Sequence, residues 1–247
     1  MGEIRRPWTI AILLLCQPIP ALRHWGNALV QLPSRPPRSR RSAVHSTPYG
    51  SRIWTTCANK HGPDAACVVH IGHGLPTVES VGLVAPHLDA VKESDLIERA
   101  EIDDVKGLQL LPGARDLLAV LPPDSYTIVT SGGRRPATTR LRAVGVPVPA
   151  TIFTASDITR GNPDPQPYVK GAAALGFGPR TCLVFEDAPS GIRAARAAGA
   201  RVIGIPTTYP REELSEADAI VPSLAAVPAS VDLQRNEPIR IDIPAGW

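Results

Sequence analysis

From residue 108 onward the chain alternates short apolar runs with stretches of helical period, and this limits its fold more than any other feature. The runs at 126–130, 151–154, 182–186 and 201–205 are bounded by turn residues and have strand length. Between them, 113–121, 136–144, 165–175 and 190–198 read as helices, and Gly199 is a natural stop for the last. Strands that alternate with crossover helices build a parallel, doubly wound sheet, so an α/β core is expected. Residues 54–107 break the pattern. The segment 91–104 has helical period and nothing around it reads as a strand, which predicts a separate, small, all-helical unit.

Composition narrows the partners. A chain of 247 residues can bury a real core. Its four cysteines (Cys16, Cys57, Cys67, Cys182) have irregular spacing and no CxxC. That argues against a disulfide scaffold or zinc ribbon and for a reducing, cytoplasmic setting. Cys182, at the head of an apolar run, reads as a small apolar filler. The net charge of +3 is unevenly placed: residues 1–53 hold eight arginines, no lysine and one acid, Glu3. The stretch 32–42 packs three prolines and four arginines together, which predicts an unpaired basic arm over residues 1–43. The arm lacks interleaved aromatics, so no nucleic-acid partner is expected. The apolar run Ile10-Ala-Ile-Leu-Leu-Leu-Cys16 is too short to span a bilayer, so no membrane partner is expected either.

In a doubly wound sheet, ligands gather at the carboxyl ends of the strands. Thr130-Ser131-Gly132-Gly133 follows one strand, and a hydroxyl with small residues at a helix entrance offers N–H donors to a phosphate. A plain turn is the alternative. Glu186-Asp187 ends another strand. Adjacent carboxylates suit an oxygen-ligated divalent cation, or alternatively cap the helix after them. His61, His70, His73 and His87 lack metal-ligand spacing and read as surface or core histidines.

Three segments then carry a family resemblance. Val129-Thr-Ser-Gly132, Gly161-Asn-Pro-Asp-Pro-Gln-Pro-Tyr168 and Val184-Phe-Glu-Asp-Ala-Pro-Ser-Gly-Ile192 resemble the second, third and fourth motifs of the haloacid dehalogenase (HAD) superfamily. Among its members the sugar-phosphate phosphatases with a helical cap are the most similar. The resemblance implies a Rossmann-like core over 108–227, a remnant of the core start at 44–53 and a cap over 54–107. It also implies magnesium at Glu186 and Asp187, and phosphate contacts from Thr130, Ser131, Gly132 and Asn162. The cap loop His73-Gly74-Leu-Pro-Thr77 is similar to the family's substrate-facing loop, so His73, Gly74 and Thr77 would meet a small phosphorylated sugar or polyol. Leu75 stands where that loop commonly has arginine.

The first motif of the family, DxDG, supplies an aspartate nucleophile and an aspartate acid/base. Residues 1–53 contain no aspartate. Val44-His-Ser-Thr-Pro48 is similar to the segment on the carboxyl side of that motif in relatives, and aligned on it the two aspartate positions fall on Arg38 and Arg40. Asn162 stands where the family has a charge-neutralising lysine, and Arg160 is the nearest cation that could replace it. Three readings remain open at this point. The N-terminus is replaced, as by a displaced reading frame, and a phosphatase-type chain is inactive as written. Alternatively, a degenerate site binds a phosphorylated metabolite without turnover, or the basic arm makes the chain an interaction module. In each case the sheet needs a new central strand, and the apolar run at 10–15 is the candidate to fill it. Residues 228–247 carry no functional reading.

Overall fold

The computed structural model describes residues 76–207 and 209–227 in full, and three further strands by their backbone. Those strands are β1 (Ile12–Cys16), β7 (Ala229–Ser230) and β8 (Arg240–Ile241). The rest of the expected arm, the remnant at 44–53, the cap residues 54–75, and with them Arg38, Arg40, His73 and Gly74, lie outside the described residues.

Two helices fall in the segment expected to form a cap, α1 (Thr77–Val84) and α2 (Ala90–Asp103). Asp89 starts α2 by accepting from the N–H groups of Val91 and Lys92, which satisfies two of the donors that a helix start leaves free. The core then runs α3 (Ala114–Val120), β2 (Tyr126–Val129), α4 (Arg134–Ala143), β3 (Ile152–Phe153), α5 (Gln166–Ala174), β4 (Cys182–Glu186), α6 (Pro189–Ala198), β5 (Arg201–Gly204) and β6 (Ala219–Ile220). Each predicted strand and helix is present, with ends shifted by one or two residues. Gly199 closes α6 at φ 93°, a left-handed conformation that favours glycine.

The six-stranded sheet has the order β3-β2-β1-β4-β5-β6. β2 pairs parallel to β3, and β4, β5 and β6 pair parallel in turn. β1 fills the central slot, as the apolar run at 10–15 suggests, but it runs antiparallel to both neighbours. The parallel expectation is therefore correct for five strands and wrong for the sixth. Hydrophobic patterning does not encode strand direction here, because Ile12–Cys16 is apolar at every position and reads the same either way.

Side-chain alternation along β4 shows why the sheet is covered twice. Leu183 and Phe185 join one cluster with Ala114 and Leu117 of α3, whereas Cys182 and Val184 join another with Tyr168, Ala172, Ile192 and Ala195 of α5 and α6. Ile128 and Ile152 pack on Ala137 and Leu141 of α4 in a third cluster. Burying each aliphatic side chain of this kind contributes roughly 1.5–3 kcal/mol.

Cys182 corrects a second expectation. It is disulfide-bonded, although it also fills the core as expected, fully buried with Tyr168, Val184 and Ile192. Its cross-strand neighbour in the β1–β4 register is Cys16. Spacing along the chain could not reveal this. No helix among the described residues is long and apolar enough to cross a membrane.

Candidate active site

The loops that leave β2, β3 and β4 meet at one edge of the sheet, where the parallel strands end. The first loop is held against its neighbour: the Thr130 N–H donates to the Phe153 carbonyl at 2.9 Å, and the Ala155 N–H donates to the Gly132 carbonyl at 3.1 Å. Gly132 N–H donates to Thr130 Oγ1 at 3.2 Å. The Thr130 oxygen is thus occupied as an acceptor, and its proton remains for a ligand. The loop is a turn, and its geometry is compatible with the phosphate reading.

The second loop carries Asn162, whose peptide bond to Pro163 is cis. Gln166 Oε1 orders the loop by accepting from the N–H groups of Thr159 at 2.7 Å and Arg160 at 3.0 Å. Asn162 is 7% exposed, and its Oδ1 is buried without a hydrogen-bond partner. A buried amide oxygen left this way costs about 1–3 kcal/mol unless a ligand or water supplies a donor. Arg160 does not stand in for the missing lysine. Its Nε lies 2.7 Å from Asp164 Oδ2, on the exposed side of the loop. Arg134 is likewise engaged, with Nη2 at 2.6 Å from Asp157 Oδ2 and 3.2 Å from the Ile152 carbonyl. Lys170 donates to the Asp157 carbonyl at 2.7 Å.

The third loop begins at Glu186 and Asp187, both buried. Glu186 Oε2 accepts from the N–H of Asp187 and, at 2.6 Å, from that of Ala188. Its other oxygen, Oε1, accepts from the Tyr168 hydroxyl at 3.3 Å. Burial, and then the Asp187 charge beside it, push the Glu186 carboxyl well above the usual carboxylate range. Burial and the neighbouring Glu186 raise the Tyr168 phenol too. Thr207 Oγ1 donates to Asp187 Oδ2 at 2.7 Å. Glu186 therefore braces the turn after β4, and α6 itself has no side-chain cap.

A cavity of about 150 Å³ opens between the start of α1 and the first two loops. Thr130, Ser131, Gly161, Asn162, Pro76 and Glu79 are among the residues that line it. The structure thus gathers Thr130, Ser131 and Asn162 around one space. Gly132, Thr77, Glu186 and Asp187 do not line that space, although Thr77 opens α1 beside it. Glu79 was not foreseen. The signal was there, since it stands two residues beyond the cap loop in the first turn of α1.

With this arrangement in view, the match to the haloacid dehalogenase-like hydrolase model over residues 46–199 takes in the first two loops and the turn after β4. The chain belongs to that family. The HAD assignment agrees with relatives of stated activity. Hexitol phosphatase A of Escherichia coli (strain K12) is 33% identical over 189 residues, spanning 74% of this chain and 88% of that protein. Glycerol-1-phosphate phosphohydrolase 1 of Saccharomyces cerevisiae is 35% identical over 165 residues, spanning 62% of this chain and 66% of the yeast protein. Among solved structures, a hydrolase from Pseudomonas syringae superposes with a TM-score of 0.65 at 25% identity, covering 72% of this chain and 88% of that one. The HAD core is the part of this chain that carries all three motifs.

Proposed function

We propose that this chain recognises a small phosphorylated sugar or polyol in a HAD-type half-site and, as written, does not hydrolyse it. One observation carries the reading. The strand in the slot next to the phosphate loop is Ile-Leu-Leu-Leu-Cys, and it runs against its neighbours. Ile12 pairs with Val129, so the site edge of the central strand is its amino end, and the sequence there offers no carboxylate. Covalent phosphoryl transfer needs a nucleophile in line with the leaving group. Neither arginine nor an aliphatic side chain can act as that nucleophile.

The phosphate side supports recognition. The Thr130 proton, the Ser131 hydroxyl and the Asn162 amide all serve one cavity. The relatives named above act on a hexitol phosphate and on glycerol 1-phosphate by their names, which favours the same ligand class here.

Magnesium fits the donor chemistry in part. Glu186 and Asp187 are oxygen donors buried side by side, a pairing of like charges that a cation would relieve. No group of three or more metal-ligating side chains occurs among the described residues. When bound, a divalent ion there would neutralise charge on a neighbouring phosphate. Titration calorimetry with hexitol and glycerol phosphates, with and without magnesium, tests the reading. Micromolar to millimolar binding without phosphate release supports it, and no binding of any ester overturns it.

A further inference from the structure

We propose that Glu79 determines specificity at this cavity by reading the end of the ligand away from the phosphate, favouring a neutral hydroxylated end over an anionic one. The proposal rests on the reading of the cavity as a phosphate-ester site, and it adds the residue and the rule of selection.

The start of α1 is seated directly on the loop that carries Asn162. A Cβ on Gly161 would lie 3.3 Å from Pro76 Cδ and 4.0 Å from Glu79 Oε1. The first turn of α1 is fixed at that point, because the Ser80 N–H and the Ser80 hydroxyl both donate to the Pro76 carbonyl, at 3.0 and 3.1 Å. Glu79 therefore reaches the cavity from a braced turn rather than from a loose loop.

A glutamate in the first turn of a helix has an ordinary role, since it complements the positive end of the helix dipole. Its place in the wall of the cavity that Thr130 and Ser131 also line adds a second role. Among the described residues its carboxylate has no hydrogen-bond or ion-pair partner, so its oxygens are open to a ligand. Asn162 Oδ1 also lacks a donor. Thr130 and Ser131 supply protons to the phosphate end. Glu79 supplies acceptors to the other end, and hydroxyl groups are the donors that match them.

Charge sets the opposite preference. A second anionic group brought within about 5 Å of Glu79 is disfavoured on the order of tenfold at the rim of a protein. A site that pairs with hydroxyls also rejects a ligand that replaces one of them by a group without a proton. The cavity should thus distinguish two ligands of nearly the same size that differ only at that end.

Glycerol 1-phosphate and 3-phosphoglycerate form such a pair, a hydroxymethyl group against a carboxylate. Calorimetry compares both esters, and inorganic phosphate, on the full chain and on Glu79→Gln, an exposed position where the amide keeps the side-chain shape. The expected result is about tenfold tighter binding of glycerol 1-phosphate by the unaltered chain, falling to within about twofold in Glu79→Gln. Equal binding of the two esters by the unaltered chain overturns the inference, as does a preference that survives in Glu79→Gln. If both esters bind and the preference does not depend on Glu79, the phosphate-ester reading stands alone. If neither esters nor inorganic phosphate bind, that reading falls and this one falls with it.

Discussion

Arg140 Nη2 lies 2.6 Å from Glu101 Oε1, with the two side chains 8% and 7% exposed, so an ion pair removed from solvent ties helix α2 to helix α4. Breaking a buried ion pair by removing one partner typically costs about 3–5 kcal/mol, whereas replacing both by apolar residues of similar volume can be neutral. Arg140→Met alone should therefore cost about 3 kcal/mol or more in chemical denaturation. Arg140→Met with Glu101→Leu should recover most of that loss. A double variant no more stable than the single one would show that the pair does not couple the two helices.

One turn earlier on α2, Glu98 lies against Gly133 at the start of α4, where an added Cβ would meet its carboxylate. Burial first, then the charges of Glu101 and Asp95, raise its carboxyl, while Arg140 and Arg135 oppose the shift. A carboxyl raised in the folded state binds its proton more tightly there than in the unfolded chain. Its contribution to stability is thus complete below the unfolded value of 4.5 and is lost as pH rises through the folded value. Glu98→Gln should melt higher than the unaltered chain at pH 7, and the difference should vanish near pH 4. A lower Tm at pH 7 would mean that the charged carboxylate is stabilised in place.

Gly191 is a glycine for a steric reason. A Cβ there would fall 1.6 Å from Glu186 Oε1 and 2.3 Å from its Cδ, so the buried carboxylate occupies the space a larger residue would need. Gly191→Ala should displace Glu186 from the Ala188 N–H and cost about 1–3 kcal/mol, read as a lower denaturation midpoint. An unchanged midpoint would mean that Glu186 can move at no cost.

Asn162→Lys restores a positive charge where the HAD family carries one. The cavity already holds the Thr130 and Ser131 hydroxyls, and a lysine stem is long enough to bring its ammonium beside a phosphate bound there. Affinity for inorganic phosphate should rise about tenfold by calorimetry, an effect that weakens as salt is added. If affinity does not change, Asn162 does not face the phosphate.

Much of this was legible in the sequence, for identifiable reasons. β4 and α6 were readable because the apolar run at 182–186 and the Ala-rich stretch ending at Gly199 have different periods and sharp ends. Thr130, Glu186 and Asp187 could be singled out as candidates because they stand where strands end, at the edge where such sheets bind ligands, and Asn162 through the family resemblance alone. Direction in β1 was not legible, since a run apolar at every position fits either orientation. The Cys182 disulfide was not legible, because spacing along the chain does not show which cysteines meet. Arg160 looked available for phosphate, but Asp164, the acid that holds it, meets it only through the fold of the loop. Glu79 was missed because its one signal, a place two residues past the cap loop, does not show that α1 rests on the Gly161 loop.

A phosphate-ester site that persists beside a strand without a nucleophile should bind but not turn over. The most direct measurement is release of inorganic phosphate from glycerol 1-phosphate with magnesium, by this chain and by a version in which a DxDG-bearing parallel strand replaces the N-terminal region ahead of residue 44. The expected result is release at the no-enzyme rate from the chain as it stands, and turnover from the restored version that Thr130→Ala lowers by about 10²-fold. Turnover by the chain as it stands, lost on Thr130→Ala or Asp187→Asn, would contradict it.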